Sequence, residues 1–185
     1  MPVSGTLERD PLARHQRSRV DAVGQVLRDC PGGALLDVGC GPGTMVRHLL
    51  EHRPGDFALT GCDRSAAMVD AARLRAGDAS FFVGDIEELP FADATFDVAL
   101  AMGVLDHVDV VPALREIVRV VRPGGRTVVT MRNPRWPARR AGDFSPRWLR
   151  HELWRAGLQP EVTAFYDAGP LGLRRAGYLV GARRL

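Results

Sequence analysis

Three acids and one run of glycines carry the chemistry that this sequence offers. The stretch LLDVGCGPGTMVRHLL, Leu35 to Leu50, passes from an apolar run into Asp37, sets Gly39, Gly41 and Gly43 at every second position, and continues as an amphipathic segment. Glycines let the chain turn tightly and bring backbone N–H groups close to a ligand. The start of a helix adds a partial positive charge. Asp63, in GCDRS, lies roughly 20 residues past the glycine turn, the separation at which an acid takes ribose hydroxyls. A carboxylate has enough lone pairs to accept from both the 2′- and the 3′-OH. Asp85 follows a third apolar stretch and is placed to take an adenine amino group, with Ile86 beside it to pack on the ring.

Two kinds of ligand compete for such a turn. A dinucleotide site asks for GxGxxG around a pyrophosphate, but the sixth position counted from Gly39 is Thr44. A P-loop is excluded because it needs a lysine and every Lys/Arg residue here is arginine. An acid at the mouth of a pyrophosphate site repels its ligand, whereas Asp37 suits a cation. S-adenosylmethionine carries an ammonium and a sulfonium and no phosphate, so its tail fits an acid-plus-glycine turn. NAD or a nucleotide-sugar stays as the rival ligand, disfavoured by Thr44 and Asp37.

The elements that must position these residues alternate. Asp10-Pro11 opens a helix running to about Arg28, stopped by Pro31-Gly32-Gly33. Ala34 to Val38 is a short strand apolar enough to be buried on both faces. Thr44 to Glu51 is a helix, Phe57 to Cys62 a strand, and Ser65 caps a helix through Leu74. Phe81 to Val83 is a third strand, Glu87 to Ala94 a polar connection, and Phe96 to Ala101 a fourth strand. Val110 to Val121 is a strongly patterned helix that Arg122-Pro123-Gly124-Gly125 ends, and Thr127 to Met131 is the fifth strand. Ser145-Pro146 starts a last helix that Gly157 closes. Strands near Val162 to Tyr166 and Tyr178 to Ala182 follow, reversed at Pro170 and Gly172, one of them a candidate antiparallel member. The expected fold is α/β, a Rossmann-like doubly wound, mostly parallel sheet. Its ligand lies beyond the carboxyl ends of the strands, where all three acids fall.

The bulk numbers fit one domain over 1–185, divided as an N-terminal helical cover (1–33), a cofactor-binding core (34–132) and an acceptor-side loop, helix and strand pair (133–185). No apolar run approaches the ~20 residues that span a bilayer, and the N-terminus lacks a signal-peptide apolar region, so the expectation is a cytoplasmic protein without a membrane partner. Cys30, Cys40 and Cys62 form no CxxC pair, so neither a disulfide framework nor a metal site is expected, and Cys40 and Cys62, just after the apolar parts of two strands, read as buried, reduced thiols. The all-arginine bias is global, which points to genome composition rather than to phosphate binding.

DVGCGPG, GCDRS, GDIEELPFADATFDVALA and LREIVRVVRPGGRTVV, with FSPRWLRHELWRAGL further on, resemble the class I S-adenosylmethionine-dependent methyltransferases. The similarity is to the small-molecule group related to ubiquinone/menaquinone-biosynthesis methyltransferases, and it covers about Ala34 to Thr130. It implies a sheet of order 3-2-1-4-5-7-6 with the seventh strand antiparallel. It implies that Asp37, Gly39 and Gly41 line the methionine end of S-adenosyl-L-methionine, that Asp63 holds the ribose, and that Asp85 and Ile86 address adenine. It places Ala101 and Met102 along the cofactor near the methyl group. The family often has two histidines where this chain has Asp106-His107.

On the acceptor side His107 is the candidate general base, imidazole being suited to proton transfer near neutral pH. His151 reads as a surface residue, and Tyr166 and Tyr178 as sheet packing. Arg132, Arg135, Arg139 and Arg140 surround Trp136, a mixture suited to a small acidic or aromatic acceptor more than to nucleic acid. The first helix is expected to cover the cofactor cleft, with Arg14, His15 or Arg17 on the cofactor carboxylate. A homodimer is compatible with this reading, as is a binding protein that keeps the cofactor without catalysis.

Overall fold

The computed structural model describes residues 11–53, 55–132, 145–167 and 175–185. Strands β1 (Gly33–Val38), β2 (Phe57–Asp63), β3 (Ser80–Val83), β4 (Phe96–Met102), β5 (Val121–Arg132), β6 (Leu158–Asp167) and β7 (Arg175–Arg184) alternate with helices α1 (Pro11–Leu27), α2 (Thr44–His52), α3 (Ala66–Arg75), α4 (Val110–Val120) and α5 (Pro146–Arg155). The strands form one seven-stranded sheet in the order β3-β2-β1-β4-β5-β7-β6. The first five run parallel, and β7 is antiparallel to both β5 and β6. This is the doubly wound arrangement expected from the sequence pattern, with the strand order that the family resemblance implies.

Period-2 alternation sorts the strand residues onto two faces. Leu35, Val98, Leu100, Val128 and Leu179 pack with Val20, Val23 and Leu27 of α1, Met45 and Leu49 of α2, and Val69 and Ala72 of α3. Leu36, Val38, Ala99, Ala101, Val129, Tyr178 and Val180 pack with Leu114 and Ile117 of α4 and with Leu149 and Leu153 of α5. The central strands are therefore apolar on both sides, which is why their sequences do not alternate. The three cysteines are buried free thiols. No helix among the described residues is long and apolar enough to cross a membrane.

Several element boundaries differ from expectation. Helix α4 ends at Val120 and β5 begins at Val121, ahead of the expected Thr127. Val121 pairs with Phe96, the Arg122–Gly125 segment then loops out, and pairing resumes at Val98 with Arg126. Strands β6 and β7 are also longer than their apolar runs, because Leu158 and Gln159 pair with Arg184 and Arg183 beyond them.

The connection between β3 and β4 is fastened by side chains of α4. Arg119 of α4 donates to the Leu89 carbonyl at 2.9 Å, the Phe91 carbonyl at 2.7 Å, Asp93 at 2.9 Å and Glu116 at 2.7 and 2.8 Å. Glu116 in turn accepts from the Leu89 N–H at 2.8 Å. Phe91 stands edge-on between Phe82 and Phe96, with ring centroids 5.4 and 5.1 Å away. At the outer edge of the sheet, Arg73 of α3 donates to the Phe81 carbonyl at 2.9 Å and occupies an acceptor that an edge strand would otherwise leave open.

Candidate functional site

The strand registers bring the three acids to one edge. Val38 stands level with Cys62 and with Ala101, and Asp63 with Val83. The glycine turn crosses the end of β1, and Gly39, Gly41 and Gly43 all adopt left-handed φ values of 67°, 52° and 75°. The Gly39 and Cys40 N–H groups donate to the Cys62 carbonyl at 2.8 and 3.1 Å, tying the turn to β2. Gly39 has a further constraint, since a Cβ there would lie 2.8 Å from Val104 Cγ2.

Asp63 organises this edge. Its carboxylate accepts from the Gly41 N–H at 2.9 Å and from the Ser65 N–H at 2.9 Å. One side chain thus fixes the glycine turn and the start of α3, and its remaining lone pairs face a cleft of about 220 Å³. Asp85 accepts from the Glu87 N–H at 3.0 Å and is bridged to Glu88. The cleft is lined by Gly39, Asp63, Arg64, Gly84, Asp85, Ile86, Gly103, Val104, His107 and Val108. Glu87 accepts from the Asp109 N–H at 3.1 Å, which draws the 3₁₀ turn Leu105–His107 alongside Asp85 and Ile86.

Asp37 lies behind this cleft and is only 2% exposed. Burial pushes its carboxyl up to about 7; Arg19 opposes that rise and Asp63 adds to it. Arg19 reaches from α1 to the same edge and donates to the Met102 carbonyl at 3.4 Å. A Cβ on Gly103, whose φ is 70°, would come within 2.6 Å of the Arg19 guanidinium. Among the described residues, the buried Arg19 Nε and Thr130 Oγ1 have no hydrogen-bond partner. Thr130 is level with Met102 on the neighbouring strand. A cation, a buried acid and two unsatisfied polar atoms at one strand edge fit a zwitterionic group, the carboxylate toward Arg19 and the ammonium toward Asp37.

Of the residues singled out from the sequence, Gly39, Asp63, Asp85, Ile86 and His107 meet in the cleft. Gly41 joins them through its bond to Asp63. Ala101 is fully buried in the core shared with α4, while Met102 is partly buried on the α1 face and offers its carbonyl to the edge. His151 is exposed on α5, and Tyr178 is buried with its hydroxyl 3.7 Å from the Met131 sulfur. The side chains of Arg14, His15, Arg17, Arg132 and Tyr166, and all of Arg135, Trp136, Arg139 and Arg140, lie outside the described residues. Among the described residues no group of three His, Cys, Asp or Glu side chains could hold a metal ion.

Sequence reasoning passed over Arg19, Gly103, Val104 and Val108. Gly103 had a visible signal, a glycine directly after a strand. Arg19 had none beyond sharing a helix with Val20 and Val23.

Comparison with known proteins bears on this geometry. Residues 36–129 match the family described as Methyltransferase domain. The chain is 32% identical over 194 residues to the malonyl-[acyl-carrier protein] O-methyltransferase of Pseudescherichia vulneris, covering 95% of this chain and 75% of that one. It is 36% identical over 110 residues to the ubiquinone/menaquinone biosynthesis C-methyltransferase of Geotalea daltonii, covering 56% of this chain and 47% of the relative. It therefore spans about half the length of that relative. The fold matches geranyl diphosphate C-methyltransferase from Streptomyces coelicolor A3(2), solved with Mg2+, geranyl diphosphate and S-adenosyl-L-homocysteine, at a TM-score of 0.76 and 18% identity, over 100% of this chain and 84% of that one. A family match across half the chain and a relative matched along nearly all of it agree with the cleft, and the chain belongs to the class I S-adenosylmethionine-dependent methyltransferases.

Proposed function

We propose that this chain catalyses methyl transfer from S-adenosylmethionine to a small-molecule acceptor by in-line displacement. The observation that carries the reading is Asp63, held by Gly41 and Ser65 between the glycine turn and the Asp85–Ile86 wall. Asp63 accepts from the ribose hydroxyls, and Asp85 and Ile86 take the adenine. Gly39, Gly41 and Asp37, with Arg19, hold the methionine end, and Ala101 and Met102 form the strand end beneath the methyl group. Bound there, the cofactor supplies a methyl on a positively charged sulfur, already a good leaving group.

The protein's task is alignment, and orientation of that kind lowers a barrier by ~7–11 kcal/mol. Val104 and Val108 shield the cleft from water, which suppresses side reactions. His107, exposed on the cleft wall, takes a proton where the acceptor must lose one, a contribution of ~10²–10⁴-fold. The arginines and tryptophan of residues 132–140 favour a small acidic or aromatic acceptor over nucleic acid. A cytoplasmic location completes the reading, and a homodimer is compatible with it.

Titration calorimetry with S-adenosylmethionine, S-adenosylhomocysteine and NAD tests the cofactor. Binding of the first two and not of NAD is expected, and tight binding of NAD alone overturns the reading. Asp63→Ala weakens S-adenosylmethionine binding by ~1.5–3 kcal/mol for each charge-assisted hydrogen bond lost. Release of S-adenosylhomocysteine across an acceptor panel reads turnover, and its absence with every acceptor leaves a binder and not an enzyme.

A further inference from the structure

The α1 face of the sheet holds a second cavity, of about 330 Å³. It lies over Arg126 to Val128 at the start of the parallel run of β5, away from the Met102–Thr130 edge that carries the cofactor cleft. Val26 of α1 forms its roof, and Val128, Val162 and Gly181 form its floor. A Cβ on Gly181 of β7 would stand 3.2 Å from Val26 Cγ1, closer than ordinary contact, and 3.7 Å from Val162 Cβ, so the glycine lets α1 sit close against this floor.

Arg126 and Cys30 also line the cavity. The Arg126 guanidinium is partly buried and donates to the Cys30 sulfur at 3.5 Å, a weak acceptor for a charged donor. Among the described residues it makes no ion pair. Two acids, Glu161 and Asp29, also line the cavity, and neither pairs with Arg126. Glu161 is engaged by Arg183 at 2.8 Å, and Asp29 is exposed at the rim. The cavity therefore joins an apolar floor to a cation without a counter-ion, at a volume within the ~300–1,000 Å³ of small-molecule sites. A guanidinium pairs with a carboxylate through two parallel hydrogen bonds.

We propose that this cavity is a binding site for a small amphipathic carboxylate, its acid group on Arg126 and its apolar body on the Val128–Val162–Gly181 floor. The site is independent of the methyl-transfer reading and shares no lining residue with the cofactor cleft.

Octanoate is a suitable probe, titrated calorimetrically against the whole chain beside octan-1-ol and octylammonium. One octanoate site is expected, with octanol and octylammonium each weaker by at least about tenfold. Arg126→Gln weakens octanoate by a similar factor, and Gly181→Val, which fills the floor, abolishes it. Asp63→Ala, at the cofactor cleft, leaves octanoate affinity unchanged. Circular dichroism and melting temperature verify that each variant folds. Should Gly181→Val not fold, Gly181→Ala, which adds a single methyl, takes its place and weakens octanoate. The proposal is overturned if octanoate fails to bind at millimolar concentration, if either control probe binds as well, or if the Arg126 variant binds octanoate normally.

Discussion

At the scale of single residues, Asp37 has the clearest measurable consequence. Its carboxyl, ordinarily at 3.8, is raised to about 7 by burial. In the free protein it is mostly protonated below neutrality. A cation set against it favours the ionised form and expels that proton. Affinity for S-adenosylmethionine should therefore rise roughly tenfold per pH unit toward about 7 and level off above, as one proton is released per ligand bound. The stability of the free protein should follow the opposite trend. The folded state holds a proton that the unfolded chain gives up near pH 4, so this group's contribution to stability falls as pH rises from about 4 to about 7 and stays low above. Asp37→Asn should flatten both profiles, weaken the cofactor at pH 8 and raise the melting temperature there. Calorimetry and thermal melts between pH 6 and 8 measure this, and a variant that keeps the wild-type pH slope contradicts the assignment.

Asp37 and Asp63 were legible in the sequence because each closes an apolar run, and strand ends define the ligand edge in this architecture. Arg19 was not legible. Its place beside Asp37 and Gly103 comes from how α1 crosses the sheet, and no periodicity within α1 encodes that crossing. His107 was legible as a side chain beyond β4, but its approach to Ile86 depends on the long-range contact between Glu87 and Asp109.

At the scale of elements, the connection from β3 to β4 looked like a plain polar loop, yet Arg119 makes it a fixed wall of the cleft. Arg119→Ala removes hydrogen bonds to two backbone carbonyls and two acids, together worth ~2–3 kcal/mol after allowance for partial exposure. The melting temperature should fall by about 5–10 °C, with weaker cofactor binding through Asp85 and Ile86. An unchanged melting temperature would show the wall to be held by Phe91 instead. Within the same connection Ala94 adopts a left-handed φ of 52°, its N–H donating to the Arg119 carbonyl at 2.8 Å. A left-handed residue with a Cβ costs roughly 1–2 kcal/mol, part of which glycine returns through its looser unfolded chain. Ala94→Gly should therefore raise stability slightly in denaturant titration, and a loss above ~0.5 kcal/mol would argue against strain there. The early start of β5 was hidden for a related reason. Val121 belongs to the apolar stripe of α4 in sequence but pairs with Phe96 in space.

At the scale of the whole molecule, the order β5-β7-β6 separates sequence from assembly. Strand β6 precedes β7 in the chain but meets the sheet only through it. While β7 is unplaced, β6 has no strand to pair with, and β5 presents Val128 and Val129 along an open margin. The cofactor edge needs neither strand, since Asp37, Asp63 and Asp85 belong to the earlier part of the chain. Deleting residues 175–185 should therefore not trim the protein gently. It should release two strands together and yield material that self-associates on size-exclusion chromatography, and a monomer with a cooperative melt would refute this. The rim that carries the three acids can thus be shaped first, while the margin of β5 stays open until β7 seals it.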